Sequence, residues 1–284
     1  SPPLGPPEGL ERWCGRPTCE DILNPDTNKP LFHAGELEID IIVHGYPGKS
    51  VCHGPLGFST IALVRHGTRA ALIDVGSFGQ RPLLIGRLAE RGLKPQDITD
   101  VLLTHSHYDH SINWLLFPEA RVRIGRDELD WSLRQRWGET FVPELYMREL
   151  GESVRLRTIA DGDDVFPGMT AHLTPGHTPG SVVFVLDAGD RDVIFTGDAC
   201  KNRAELVSRS ADMTYDKAVT NASIEAIWAF WSRRPGSILV PGHDLPMVQE
   251  EGRTRYLGKR EAAIRAWFSE GLNETTVISL TGDG

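Results

Sequence analysis

Thr104–His110 reads THSHYDH, placing three histidines and a carboxylate within six positions where the apolar run VLLT (101–104) gives way to a loop. Imidazole nitrogens and carboxylate oxygens suit a borderline divalent ion, and the ends of strands are where α/β sheets place such groups. In extended backbone His105 and His107 project to the same side. A turn after His107 lets Asp109 and His110 face a second point, so one segment can serve two metals. A chain built around this run needs a sheet whose strand ends converge.

Three later segments repeat the order of strand, glycine-containing turn and candidate ligand. They are Thr174-Pro-Gly-His177-Thr-Pro-Gly-Ser181, Phe195-Thr-Gly-Asp198-Ala and Pro241-Gly-His243-Asp244. A glycine beside the ligand lets the backbone turn tightly enough to aim it. With the first motif these give five histidines and two carboxylates, enough for two ions sharing a bridging carboxylate.

The remaining sequence sets the frame. The 284 residues are 40% hydrophobic with 29 glycines, the composition of a chain that buries a sizeable core. Lys plus Arg is 30 against Asp plus Glu at 39, a net charge of -9 that disfavours nucleic-acid partners and leaves a small-molecule substrate. The apolar runs are too short to cross a membrane, and a cytoplasmic location is expected. The dispersed cysteines at 14, 19, 52 and 200 read as reduced. Residues 1–31, rich in Pro and Gly, read as an extended arm before a single domain over 32–284.

Strands are expected at 36–45, at 57–76 as a hairpin turning at His66–Thr68, and at 101–104, 121–125, 153–159, 169–174, 181–187, 192–197 and 237–240. Helices are expected at 81–91, 126–136, 143–150, 215–232 and 252–268. This succession suggests an α/β fold of two similar halves, each pairing a sheet with outer helices.

The ordered set HSHYDH, TPGHTPGS, TGDA and PGHD, following a strand that ends LIDVG, resembles the metallo-β-lactamase superfamily over about residues 35–250. That resemblance implies a four-layer αββα sandwich with a dinuclear site at one edge. It assigns His105, His107 and His177 to one metal, Asp109, His110 and His243 to the other, and Asp198 to the bridge. Zinc is the default pair of divalent ions, with iron, manganese and cobalt also compatible with these donors.

Within the superfamily the intervals between motifs and the closing GHD are similar to the N-acyl homoserine lactonases, which implies a dinuclear metal-dependent hydrolase of a small ester or lactone. Where those lactonases carry a Tyr three residues after the bridging Asp, this chain has Lys201. Most class B β-lactamases carry Cys or Ser at the position of Asp198. Glyoxalase II-like thioesterases show Gly-Cys-Gly-Arg where this chain has Ala199-Cys200-Lys201-Asn202-Arg203. Residues 95–125 also resemble vertebrate relatives implicated in histone pre-mRNA processing, so a phosphodiesterase or nuclease is the alternative alongside a thioesterase.

In the catalytic reading Asp109 orients the attacking water and shuttles its proton, and Lys201 donates to a substrate carbonyl or carboxylate. Asp74 is expected to accept a ring N–H from a ligand histidine, with Thr104 and Ser181 in lesser versions of that part. His44, His53, His66 and His172 read as structural or surface residues. Tyr46, Phe58, Trp114, Tyr146 and Met147 are candidate cleft walls, and Cys200 reads as a small buried hydrophobe. A homodimer is compatible with the Trp-rich helix near 228.

Overall fold

The computed structural model describes residues 31–281. The proposed arm, with Cys14 and Cys19, lies outside the described residues apart from Leu31, while Cys52 and Cys200 are free thiols.

Two seven-stranded sheets face each other, and in each the spatial order of strands follows the chain. The first takes β1 (Phe32–Ala34), β2 (Leu37–Val43), then, after a small hairpin of β3 (Lys49–Ser50) and β4 (Gly54–Pro55), β5 (Ile61–His66), β6 (Arg69–Ile73), β7 (Asp100–Leu102), β8 (Arg121–Gly125) and β9 (Leu156–Ile159). The second takes β10 (Asp164–Phe166), β11 (Met169–Leu173), β12 (Val182–Asp187), β13 (Asp192–Gly197), β14 (Ile238–Pro241), β15 (Met247–Glu250) and β16 (Arg253–Tyr256). A separate hairpin, β17 (Ala263–Ala266) with β18 (Thr276–Ser279), follows.

Alternation along each strand sorts the core. Ile39, Val64, Ile73 and Leu102 from the first sheet meet Phe184, Phe195 and Val240 from the second in the central layer. The opposite face of the first sheet packs Leu63, Leu72 and Val101 against Leu84 and Leu88 of α1 (Arg81–Glu90). A short turn of helix, α2 (Tyr108–Ser111), carries part of the first motif. Next come α3 (Arg126–Leu133) and α4 (Glu144–Gly151), whose Leu129, Met147 and Leu150 join the same layer. On the outer face of the second sheet lie α5 (Arg203–Ser208) and α6 (Lys217–Ser232). Asp216 starts α6 by accepting from Val219 N at 3.1 Å, and Ile224, Ile227 and Trp231 bury its apolar stripe. The result is the four-layer αββα sandwich, with each sheet backed by its own helices.

One expected element is overturned. Residues 252–268 do not form a helix: β16 and β17 occupy that stretch. Glu251 and Gly252 both have positive φ, +52° and +75°, the geometry of a two-residue turn matched to strand twist. That turn folds Arg253–Tyr256 back on β15 in register, Val248 opposite Arg255. Tyr256 OH and Arg260 then anchor on the buried Asp244, so tertiary contacts hold this stretch as strands in place of the expected helix.

Candidate functional site

The carboxyl ends of strands from both sheets meet along one edge, and main-chain bonds sew them together. Val182 N donates to Thr104 O at 2.9 Å and Thr60 N to Gly242 O at 2.7 Å. Thr60 Oγ1 also donates to Pro241 O at 2.7 Å. Side chains leaving these strand ends are therefore held against one another.

All seven sequence-predicted ligand residues arrive there. Their donor atoms fall into three overlapping groups, His105–His107–His177, His105–His110–Asp198 and Asp109–His110–His243, with the atoms of each within 4.8 Å of one another. His107 Nδ1 stands 3.0 Å from His177 Nε2, and His110 Nε2 stands 3.3 Å from His243 Nε2. The Asp198 carboxylate lies between the groups. Its Oδ2 is 3.3 Å from His177 Nε2, while Oδ1 is 3.2 Å from His110 Nε2 and 3.3 Å from His243 Nε2. Asp109 Oδ2 faces His243 Nε2 at 3.5 Å. His44, His53, His66 and His172 join none of these groups.

The surroundings set which ring nitrogen points inward. Asp74 follows β6 with φ +54°, a left-handed position that an Asp tolerates better than most residues. Its carboxylate accepts from Thr104 N and Thr104 Oγ1, each at 2.8 Å, and from His110 Nδ1 at 2.7 Å. Because the Thr104 hydroxyl donates to Asp74, it accepts from His105 Nδ1 at 3.0 Å. His243 Nδ1 donates to Phe58 O at 3.1 Å. In each case the proton sits on Nδ1 and the Nε2 lone pair faces the cluster. The expected parts of Asp74 and Thr104 are both present. Ser181 differs: it donates to Thr174 O at 2.8 Å and Thr178 O at 3.2 Å, stapling the His177 loop rather than touching an imidazole.

Burial and charge divide the histidines. Burial first, with neighbouring imidazoles, holds His105 well below the ordinary imidazole value. Burial likewise lowers His177 strongly and His107 to about 4. For His110 burial also pulls down, but Asp198, Asp109 and Asp74 outweigh it and raise it well above the usual range. His243 is raised in the same way, chiefly by Asp198. Asp198 is held well below the usual carboxylate range: burial opposes this, but His243, His110 and His177 prevail.

His105 Nε2 is buried with no hydrogen-bond partner, and facing imidazole nitrogens cannot satisfy each other when both are neutral. A cation at the centre satisfies them together. The donor set thus fits divalent metal.

Glu128 of α3 is a supporting residue that the sequence reading missed. Fully buried, it accepts from Ser106 N at 2.8 Å, Ser106 Oγ at 2.6 Å and Gly180 N at 3.1 Å, clamping the HSHYDH loop to the His177 loop. Burial pushes its carboxyl up. The available signal was an acid beside Leu129 and one turn from Ser132, on the inward face of the helix.

A cavity of about 370 Å³ opens over the cluster, walled by Tyr46, Leu56, Tyr108, Phe141, Met213 and Lys201 among others. Of the candidate cleft aromatics only Tyr46 lines it. Trp114 and Met147 are core, the Tyr146 ring packs against Phe78, and Phe58 turns outward, 41% exposed. Lys201 Nζ is held by Glu205 Oε1 at 2.8 Å and by Asp212 O at 2.6 Å. Cys200 is fully buried, and burial raises its thiol, as expected of a small hydrophobe.

Comparison with known proteins agrees with this architecture. Among curated relatives, human metallo-beta-lactamase domain-containing protein 1 is 31% identical over 177 residues, covering 62% of this chain. The chain spans 58% of that relative's length. An N-acyl homoserine lactonase of Bacillus thuringiensis is 24% identical over 164 residues, covering 57% of this chain and 62% of the lactonase. Among solved structures, the dizinc quorum-quenching lactonase AidC superposes with a TM-score of 0.63 at 18% identity, covering 82% of this chain and 97% of its own. No helix among the described residues is long and apolar enough to cross a membrane. The family model for the metallo-beta-lactamase superfamily matches residues 54–243, from the hairpin before β5 to the last histidine of the cluster, and the chain belongs to that superfamily.

Proposed function

We propose that this metallo-hydrolase cleaves a small ester or lactone with two zinc ions, in the manner of the N-acyl homoserine lactonases it is similar to. In this reading His105, His107 and His177 would hold one ion, Asp109, His110 and His243 would hold the other, and Asp198 would serve both. The observation that carries it is the Asp198 carboxylate, one oxygen of which faces His177 and the other His110 and His243. When bound, such a pair of ions supplies Lewis acidity and makes water a competent nucleophile near neutral pH.

The chain's own residues do the rest. Asp109 lines the cavity directly above the cluster, where its free oxygen can accept a hydrogen bond from the attacking water and orient it. The same carboxylate takes the proton released in the attack and returns it to the departing alcohol oxygen, which in a lactone stays tethered to the product. Tyr46, Leu56 and Phe141 offer apolar walls to an acyl group. Lys201 stands on the cavity wall as a fixed positive charge able to pair with a substrate carboxylate or carbonyl. A cavity of about 370 Å³ and a net charge of -9 favour a small substrate over a nucleic acid.

Metal content measured beside turnover of a lactone, a thioester, a β-lactam and bis-nitrophenyl phosphate tests the proposal. The expected result is about two equivalents of zinc, with lactone or ester turnover foremost. Preferential cleavage of the phosphodiester would replace it with the nuclease reading, and preferential thioester cleavage with the thioesterase reading.

A further inference from the structure

Arg69, Asp100, Arg121, Arg123 and Arg157 gather at the opposite end of the first sheet from the metal cluster. Arg69 and Asp74 are the two ends of one strand run, roughly 16 Å apart at about 3.3 Å per residue. Asp100 opens β7 fully buried. It accepts from Arg69 Nη2 and Thr99 Oγ1, at 2.8 Å and 2.7 Å, and its other oxygen lies 3.2 Å from Arg121 Nη2.

Two further guanidiniums crowd the same face. Arg123 reaches no closer than 3.8 Å to Asp100 through its Nε, beyond hydrogen-bond range, and that Nε is buried without a partner. Arg157 is the register partner of Arg123 across β8 and β9, and donates only to the carbonyls of Val154 and Leu156. Among the described residues, Asp100 is the one carboxylate in ion-pair contact with any of the four guanidiniums.

Like charges directly opposite on adjacent strands destabilise a sheet. A half-buried arginine with unused donors adds to that cost. Four positive charges against one negative leave a surplus of three, in a protein whose overall balance is negative. The Phe166 ring offsets part of the charge of Arg69, whose guanidinium lies 4.6 Å from its centroid, but among the described residues no ring lies under Arg121, Arg123 or Arg157. Burial and the neighbouring guanidiniums together lower the Arg123 pKa despite Asp100. Locally unfavourable placements of this kind are expected where a ligand completes them.

We propose that Arg69, Arg121, Arg123 and Arg157 form a binding site for a phosphate group, remote from the metal cluster. A tetrahedral oxyanion carrying about two charges matches the surplus, and the forked guanidinium donors suit its oxygens. A single carboxylate would leave most of the charge uncompensated. Inorganic phosphate and a phosphomonoester present the same group.

The test titrates inorganic phosphate, and in a second arm glycerol phosphate, into the metal-loaded full chain by calorimetry, with Tm followed against chloride at equal ionic strength. Phosphate is expected to bind and raise Tm. Arg123→Met is expected to bind about tenfold more weakly. Arg157→Gln, at an exposed position, provides the same readout without risk to folding and is expected to weaken binding likewise, with ester turnover unchanged. Without phosphate both variants are expected to melt no lower than the parent, because a repulsion has been removed. Glycerol phosphate binding as tightly as inorganic phosphate would assign the site to phosphomonoesters, and markedly weaker binding to the free anion. Absence of any effect beyond chloride, or unchanged affinity in both variants, would overturn the proposal.

Discussion

Asp74 Oδ2 and His110 Nδ1 lie 2.7 Å apart, and the same carboxylate reaches His105 through the Thr104 hydroxyl, so one side chain sets the tautomer of two histidines that the proposed reading assigns to different ions. Asp74→Ala is therefore expected to weaken metal binding by about 10- to 100-fold. Competition against a chromogenic chelator measures this. Loss confined to one of two binding events would show that the link through Thr104 carries nothing.

Charge partition in the metal-free cluster makes metal binding a proton-releasing step. His105, His107 and His177 are held below the ordinary imidazole value, whereas His110 and His243, raised by carboxylates against the pull of burial, keep a second proton to higher pH than a free imidazole and must lose it before Nε2 can bind a metal. Calorimetry in two buffers of different ionisation enthalpy is expected to show net proton release, with affinity growing as pH rises. The metal-free protein shows the opposite signs in its stability. The contribution of His107, whose folded value is about 4, is complete above its unfolded value near 6.5 and is lost as pH falls toward 4. That of His110 is complete below the unfolded value and disappears as pH climbs through its raised folded one.

Asp109→Asn removes the carboxylate charge while nearly preserving shape. A fall in kcat of about 10²- to 10⁴-fold is expected if Asp109 handles the proton. Steady-state kinetics on metal-replete protein decides, and near-parental turnover with both ions retained would dismiss this role.

Lys201→Met is expected to raise KM for substrates bearing a carboxylate and to leave neutral esters little changed. Because Nζ also bonds Asp212 O and Glu205, Tm is measured in parallel. A lower Tm with identical KM for both substrate classes would mean that the lysine only braces the 201–212 segment around α5.

Glu128→Ala strands the Ser106 and Gly180 amides that it now satisfies, with an expected loss of about 2–4 kcal/mol in unfolding free energy. Gly180→Ala attacks the same junction from the other side, since a Cβ there would overlap the backbone of Asp127 and Glu128. Denaturant melts of the two single variants and the double variant are expected to be non-additive.

Much of this was readable in the chain because the ligands lie immediately beyond strands whose period-two pattern is plain. Leu102, Leu173, Gly197 and Pro241 end strands, and His105, His177, Asp198 and His243 follow within four residues. Asp74 was legible for the same reason. Glu128 was not, because its partners are main-chain amides that leave no mark in a sequence. The cleft walls were mostly misread: aromatic character does not tell Tyr46, which lines the cavity, from Trp114, which fills the core. At residues 252–268 the short-range signal was present in Glu251-Gly252, but the decisive partner, Asp244, lies outside the local window.

Apart from Tyr108, the cavity owes its apolar walls to pieces of chain other than those that carry the ligand histidines. Tyr46 and Leu56 come from the hairpin region ahead of β5, Phe141 from the stretch between α3 and α4, and Met213 from that between α5 and α6. Insertions or exchanges in those three stretches can remodel the choice of acyl group while the strand-end chemistry stays untouched. Altered selectivity is thus within reach of changes that leave ion loading alone.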